Sequence, residues 1–134
     1  MALLVPDIGE RELRDKMLKD ALTVDEDLTL KLYKTDVTPA EGDTAASYTV
    51  ADFTGYVNKT LTRAGWAAAA TNAGTTDSSY AQQTWTNTGA AQTSFGYYVI
   101  AVTSTLLLWA EKFAASRTLN TSDTLNLTPK MELA

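Results

Sequence analysis

The sequence predicts an all-β fold: an antiparallel β-sandwich, jelly-roll-like, of about six to eight strands, with one N-terminal amphipathic helix. Three observations predict it. From Leu28 onward the apolar residues recur with a period of two instead of 3.6. Gly, Asn, Ser and Thr gather between the short apolar runs, as turn residues do. The most apolar stretch, "GYYVIAVTSTLLLWAEKF" at 96–113, reads as two strands and not as one helix.

That stretch is too short and too interrupted to cross a bilayer, which takes about 20 consecutive apolar residues. Thr103-Ser104-Thr105 break it, and Glu111 and Lys112 close it. β-Branched and aromatic residues dominate its first half, which disfavours a buried helix. Split at the Thr-Ser-Thr step, it becomes a hairpin. Tyr97, Val99 and Ala101 then share one face, and Tyr98, Ile100 and Val102 the other. In the second strand Leu106 and Leu108 oppose Leu107, Trp109 and Phe113. Apolar residues on both faces place this pair at the centre of the fold, covered from each side.

The remaining elements follow in order. Residues 10–21, "ERELRDKMLKDA", have a helical period, with Leu13, Met17, Leu18 and Ala21 in a narrow apolar stripe. Glu10–Arg14, Glu12–Lys16 and Asp15–Lys19 are i,i+4 pairs with the acid first, and Asp7 is placed to cap. "LTLKLY" points Leu28, Leu30 and Leu32 inward and Thr29, Lys31 and Tyr33 outward. A polar loop with Pro39 and Gly42 follows. "YTVADFTGYVNKTLT" (48–62) contains one or two strands meeting near Gly55, and 63–80 is an Ala/Gly/Thr-rich excursion with a short helical turn or no regular structure. "SYAQQTWT" is a strand with Ala81, Gln83 and Trp85 on one side, and "NTGAAQTS" a hairpin loop. The last strand turns Leu125 and Leu127 inward, and Pro129 marks its end. The chain divides into an N-terminal arm and helix, 1–22, and a β-sandwich domain, 23–134.

Composition narrows the chemistry. The sequence has no cysteine and no histidine, so thiolate chemistry, Cys-based metal sites and Ser-His triads are excluded. No enzyme activity, metal or cofactor is expected. A formal charge of −5 argues against nucleic acid and against an anionic membrane surface. The apolar residues Ala2 to Val5 are too few for a secretory signal, which needs roughly 7–15. Asn58, Asn120 and Asn126 head glycosylation-type triplets and are read as ordinary strand and turn residues.

Three groups are candidates for function. The carboxylates Asp25-Glu26-Asp27 and Glu41/Asp43 flank strand ends, where solvated acids are routine, although paired acids can also bind calcium or cleave glycosides. Tyr33, Tyr56, Trp66, Tyr80 and Trp85 would stack on sugars if exposed and would pack the core if not, and Trp109 is assigned to the core. The apolar N-terminus, Leu3, Leu4, Val5 and Pro6, with Leu13 and Met17 of the helix, is the candidate partner-binding surface. It needs burial either on the chain's own sandwich or on a neighbouring protein.

The order of these features resembles small virion proteins of tailed bacteriophages, chiefly head-decoration or cement proteins. The resembling elements are "LLVPDIGE" (3–10), "LTLKLYKTDVTPAEGDT" (28–44), "FTGY" (53–56), "TWT" (84–86), "GYYV" (96–99), "LLWAEKF" (107–113) and "DTLNLTP" (123–129), which together cover most of the chain. The resemblance implies a structural component of the virion surface, assembled in the host cytoplasm. It would bind the major capsid protein and stabilise contacts between capsomers, with copies of itself or lattice neighbours alongside. It carries over no catalytic and no defined binding residues. The alternative is a carbohydrate- or receptor-binding β-sandwich module of a tail or fibre.

Overall fold

The computed structural model describes residues 4–9, 27–72 and 75–133. Among the described residues the chain is mostly β, with antiparallel pairing throughout, so the all-β expectation holds. The helix expected at 10–21 lies outside the described residues, as does the boundary expected at 22/23; residues 7–9 are helical.

A four-stranded sheet organises the molecule. β1 (Leu28–Tyr33) pairs with β2 (Lys59–Leu61) on one side and with β6 (Gln92–Ala101) on the other, and β7 (Leu107–Leu119) completes the order β2-β1-β6-β7. The period-two pattern of the sequence sets its faces. Leu30 sits opposite Val99 and Leu32 opposite Tyr97, so these four share one face. Together with Leu61, Phe53, Trp85, Trp109, Leu119 and Leu125 they form the main core.

The opposite face is covered as well. Tyr33, Tyr98, Ile100, Leu107 and Ala110 form a second cluster with Tyr48, against which Val37, Ala45 and Val50 pack. Tyr33 occupies the face predicted for it but is not outward: it is fully buried. The segment after β1 doubles back over it, held by Lys34 N–H to the Thr49 carbonyl (2.9 Å) and Ala51 N–H to the Leu32 carbonyl (2.9 Å). Tyr48 then lies 5.0 Å from Tyr33 and 5.1 Å from Tyr98, ring centre to ring centre. Every residue of β6 from Gly96 to Ala101 is buried, as expected for a strand covered on both sides.

The hairpin β6–β7 departs from the predicted facing. The pairing slips between Val99 and Ile100: Val99 faces Trp109, whereas Ile100 faces Leu107. This bulge reverses the side-chain alternation. Leu107 and Trp109, predicted on one face, therefore lie in opposite clusters, Leu107 with Tyr98 and Trp109 with Val99. A larger slip follows, where the step from Ser94 to Gly96 is matched by that from Lys112 to Arg117. Gly96 sits at this slip with no room for a side chain, because a Cβ would overlap the Glu111 carbonyl and the Tyr33 ring. The hairpin turns through Val102–Leu106, closed by Ala101 N–H to the Leu106 carbonyl (3.0 Å), with Thr105 at φ 57°.

Two smaller sheets complete the fold. Residues 63–80, expected to hold only a short helical turn, contain a 3-10 turn at Arg63–Gly65 and then β3 (Ala70–Asn72) and β4 (Thr75–Ser79), which pair with each other. β4 also pairs with the C-terminal β9 (Lys130–Leu133). β5 (Gln83–Thr86) pairs with β8 (Thr124–Leu127). This pair delivers Trp85 and Leu125 into the main core, and the Trp85 indole N–H donates to the Val57 carbonyl at 2.7 Å. Of the span 48–62, expected to hold one or two strands meeting near Gly55, Lys59–Leu61 forms β2, while 48–58 are irregular apart from an isolated bridge from Val50 to Tyr33 and a turn at Thr54–Gly55.

Asn87 ties these parts together. It is fully buried in the loop read as a simple hairpin connection. Its side-chain NH2 donates to the carbonyls of Ala90 and Leu119, both at 2.8 Å, and its side-chain oxygen accepts from Gly89 N–H at 2.9 Å. Its backbone bonds Asp123 and Ser122. One residue thus ties together the end of β5, the start of β6, the end of β7 and the start of β8, its side chain satisfying a buried carbonyl at Leu119 and two part-buried groups at Gly89 and Ala90.

Two substitutions probe this arrangement. Asn87→Ala leaves those three groups unpaired, each costing about 1–3 kcal/mol. It is expected to lower unfolding stability by about 3 kcal/mol or more in denaturant titration, and a loss under 1 kcal/mol would refute the tie. Thr105 is β-branched in the left-handed region, which costs roughly 1–2 kcal/mol. Thr105→Gly is therefore expected to leave the unfolding midpoint unchanged or raise it, whereas the same change at Thr84, inside strand β5, lowers it.

Candidate functional site

The N-terminal segment and the outer edge of β7 form the most developed binding geometry. β7 lies at the margin of its sheet. Leu4 docks on that margin as a one-residue strand: Leu4 N–H donates to the Ala110 carbonyl (3.3 Å) and Ala110 N–H to the Leu4 carbonyl (3.1 Å). Val5 packs against the main core and Pro6 is fully buried. Asp7 N–H then reaches the Glu41 carbonyl at 3.2 Å. Gly9 lies directly on β7, where a Cβ would overlap the Leu108 carbonyl. The sequence explains the seat: apolar Leu-Val-Pro needs cover, proline has no N–H to strand, and glycine permits close backbone approach.

Of the six residues predicted to bind a partner, the structure places Leu4, Val5 and Pro6 on the chain's own sheet. Leu3, Leu13 and Met17 lie outside the described residues. Of the two covers left open for the N-terminus, its own β domain is the one that residues 4–9 use.

Beyond Ala110 no strand among the described residues pairs with the outer edge of β7, and its residues from Ala114 to Thr118 are exposed. β7 and β8 are consecutive in the chain and joined by a tight turn, yet they do not pair, since β8 pairs with β5. Between them runs a cleft of about 350 Å³, with Arg117 and Thr118 on one wall and Asp123, Thr124 and Asn126 on the other. On the outer face of β5 and β8, Thr84 Oγ1 donates to Asn126 Oδ1 at 2.7 Å, and the hydroxyls of Thr86 and Thr124 lie 3.3 Å apart. The hydroxyls of Thr93 and Thr118 are 2.8 Å apart across β6 and β7. The first two pairs put short polar side chains on the face of β5 and β8 opposite Trp85, and the third lies on the four-stranded sheet. The sequence reading passed over them because a threonine in a strand signals only the strand.

The aromatic candidates do not assemble an open platform. Tyr33 and Trp85 are buried, which corrects the outward reading of Tyr33 and selects the core for Trp85 from the two readings left open. Tyr56 is part of the core margin, accepting from Leu32 N–H and donating to Asn58 Oδ1, each at 3.1 Å. Trp66 and Tyr80 are half-buried, packed edge to face at 5.4 Å, with Trp66 also against Trp109 at 5.9 Å. Trp109 is in the core, as predicted.

Of the candidate carboxylates, Asp27 and Asp43 hold loops and Glu41 is exposed. Asp27 Oδ1 accepts Arg63 N–H at 2.9 Å. Asp43 Oδ2 accepts Ala40 N–H at 2.9 Å and the Tyr48 hydroxyl at 2.7 Å. Asp25 and Glu26 lie outside the described residues. Among the described residues no three carboxylates converge as metal ligands. What the site offers is shape, backbone edges and hydroxyl hydrogen bonds.

No protein-family model matches the chain, and no curated protein matches it either.

Burial has a measurable electrostatic consequence. Desolvation raises the phenols of Tyr33, Tyr48, Tyr56, Tyr97 and Tyr98 above their ordinary value, Tyr98 to about 12. Hydrogen bonds to carboxylates add to this at Tyr48, through Asp43, and at Tyr97, through Glu111 (2.6 Å). Above about pH 10 the unfolded chain gives up phenol protons that the native state keeps, so stability must fall there. The contribution is complete below pH 10 and is lost as the pH climbs through 12. The tyrosinate ultraviolet absorbance is expected to rise late and together with loss of circular dichroism. A gradual rise centred near pH 10 in a still-folded protein would contradict it.

Proposed function

We propose that this chain is a structural virion protein of a tailed bacteriophage, a capsid decoration or cement protein that binds the assembled head and stabilises the contacts between capsomers. The family resemblance motivates the reading, and one structural observation carries it. The chain spends its large aromatic side chains inside, and presents short Thr and Asn side chains on the stiff outer face of β5 and β8. Such a face suits broad contact with a regular lattice. Stable binding there takes about 1,000 Å² or more of buried surface. A protein that binds the assembled lattice but not its dissociated subunits stabilises the shell by mass action.

In this reading the finer architecture is a sandwich of jelly-roll type. The four-stranded sheet forms one layer and the β5–β8 pair the other, meeting across Leu30, Val99, Trp85 and Leu125. The major capsid protein is the principal partner, and the head surface the location. Burial of Tyr33 and Trp85 weighs against the alternative, a glycan- or receptor-binding module of a tail or fibre. The half-exposed Trp66–Tyr80 pair is what that alternative would have to use.

Purified chain added to shells lacking it is expected to be retained and to raise the temperature at which the shells lose their contents. Thr84→Glu with Thr124→Glu, on the exposed face, should lower retention about tenfold or more without changing the circular dichroism. Shells that neither retain the chain nor gain heat resistance would remove the proposal. Glycan binding that is abolished by Trp66→Ala in a folded protein would favour the alternative.

A further inference from the structure

We propose that the seat of residues 4–9 on the edge of β7 is also a docking site for the same segment of a second copy, so that neighbouring copies link by exchanging N-terminal arms. The occupant is fixed by the structure. Leu4, Val5, Pro6 and Gly9 already fill this seat within one chain, so an identical segment from another copy makes the same bonds: both backbone hydrogen bonds to Ala110, the burial of Pro6, and the close approach of Gly9 to Leu108. Exchanging an identical element is a low-cost route to association, because no new complementarity is required.

Among the described residues the ties that must open are local: the Leu4–Ala110 pair, one bond from Asp7 to Glu41, the apolar contacts of Val5, the burial of Pro6 and the approach of Gly9 to Leu108. Residues 10–26 separate the arm from the β-domain; with the helix expected at 10–21 kept, this connection spans roughly 35 Å. That reach covers the distance to an adjacent molecule of this size. The arm in its own chain competes at an effective concentration in the millimolar range. Exchange is therefore minor in dilute solution and substantial where copies are crowded, as on a surface lattice. The inference does not depend on the shell reading, since it concerns two copies of this chain alone.

The absence of cysteine in the sequence allows a direct test. Full-length Leu4→Cys and full-length Ala110→Cys chains are mixed in a glutathione redox buffer at protein concentrations from about 10 μM to about 1 mM. Exchange predicts a disulfide heterodimer whose yield rises with concentration and at about 1 mM exceeds by about tenfold that from Leu4→Cys mixed with Thr84→Cys, an exposed site away from the seat. The double variant Leu4→Cys/Ala110→Cys should close within one chain when dilute.

A heterodimer yield no greater than the Thr84 control at all concentrations would overturn the proposal, as would failure of the double variant to close. Should Ala110→Cys not fold, unmodified chain serves. Light scattering after size exclusion at about 1 mM should show a dimer fraction that Gly9→Ala, which blocks the seat, removes. A wild type that stays monomeric, or a dimer indifferent to Gly9→Ala, refutes arm exchange. Loss of shell binding with exchange intact would instead count against the decoration reading alone.

Discussion

Strand β6 is apolar on both sides, and this condition governs how the remainder of the chain must be arranged. From Gly96 to Ala101 no residue reaches solvent. A strand with two apolar faces has to be flanked by neighbours in its own sheet and roofed by material above and below. β1 and β7 supply the neighbours. The β5–β8 pair, with Trp85 and Leu125, roofs one face, and the returning segment through Tyr48 and Val50 roofs the other. The N-terminal segment then covers the upper part of the β7 edge, which would otherwise expose unpaired backbone next to this core.

The tyrosines show how strongly that condition acts. Four polar-tipped rings, Tyr33, Tyr48, Tyr97 and Tyr98, lie in or beside the sheet, and three of them find acceptors close by: Tyr33 reaches the carbonyls of Val37 and Glu111, Tyr48 the Asp43 carboxylate, and Tyr97 the Glu111 carboxylate. Acidic loops are therefore drawn in to serve the core. This gives the carboxylates at Asp43 and Glu111 a structural task and leaves the outer surface to short hydroxyl and amide groups.

Much of the sheet was legible because its signals are local. The alternation of Leu28, Leu30 and Leu32 and that of Tyr97 through Ile100 assign each residue to its correct face. The pattern does not say what lies above a face, which is why Tyr33 was placed correctly and yet expected to be exposed. Register lies beyond local reading too. The bulge that parts Leu107 from Trp109 is a property of two strands together, and nothing in "LLLW" alone marks it. The β3–β4 hairpin arises in a stretch of low strand propensity because β4 pairs with the C-terminal β9, a non-local cause. In the candidate site, the need of Leu4, Val5 and Pro6 for cover was readable, while the identity of the cover was not. Asn87 was hidden because Asn-Thr-Gly reads as an ordinary turn.

Asn87 carries one more consequence, which concerns chemical ageing. An asparagine deamidates when the amide nitrogen of the next residue attacks its side-chain carbonyl to close a five-membered ring. Here that nitrogen belongs to Thr88 and is engaged with the Thr54 carbonyl at 2.9 Å, while the side-chain amide is pinned between Ala90 and Leu119. Ring closure would have to break all three bonds. A residue whose conversion to a carboxylate would unpair the Ala90 and Leu119 carbonyls is thus held in a geometry that resists the conversion.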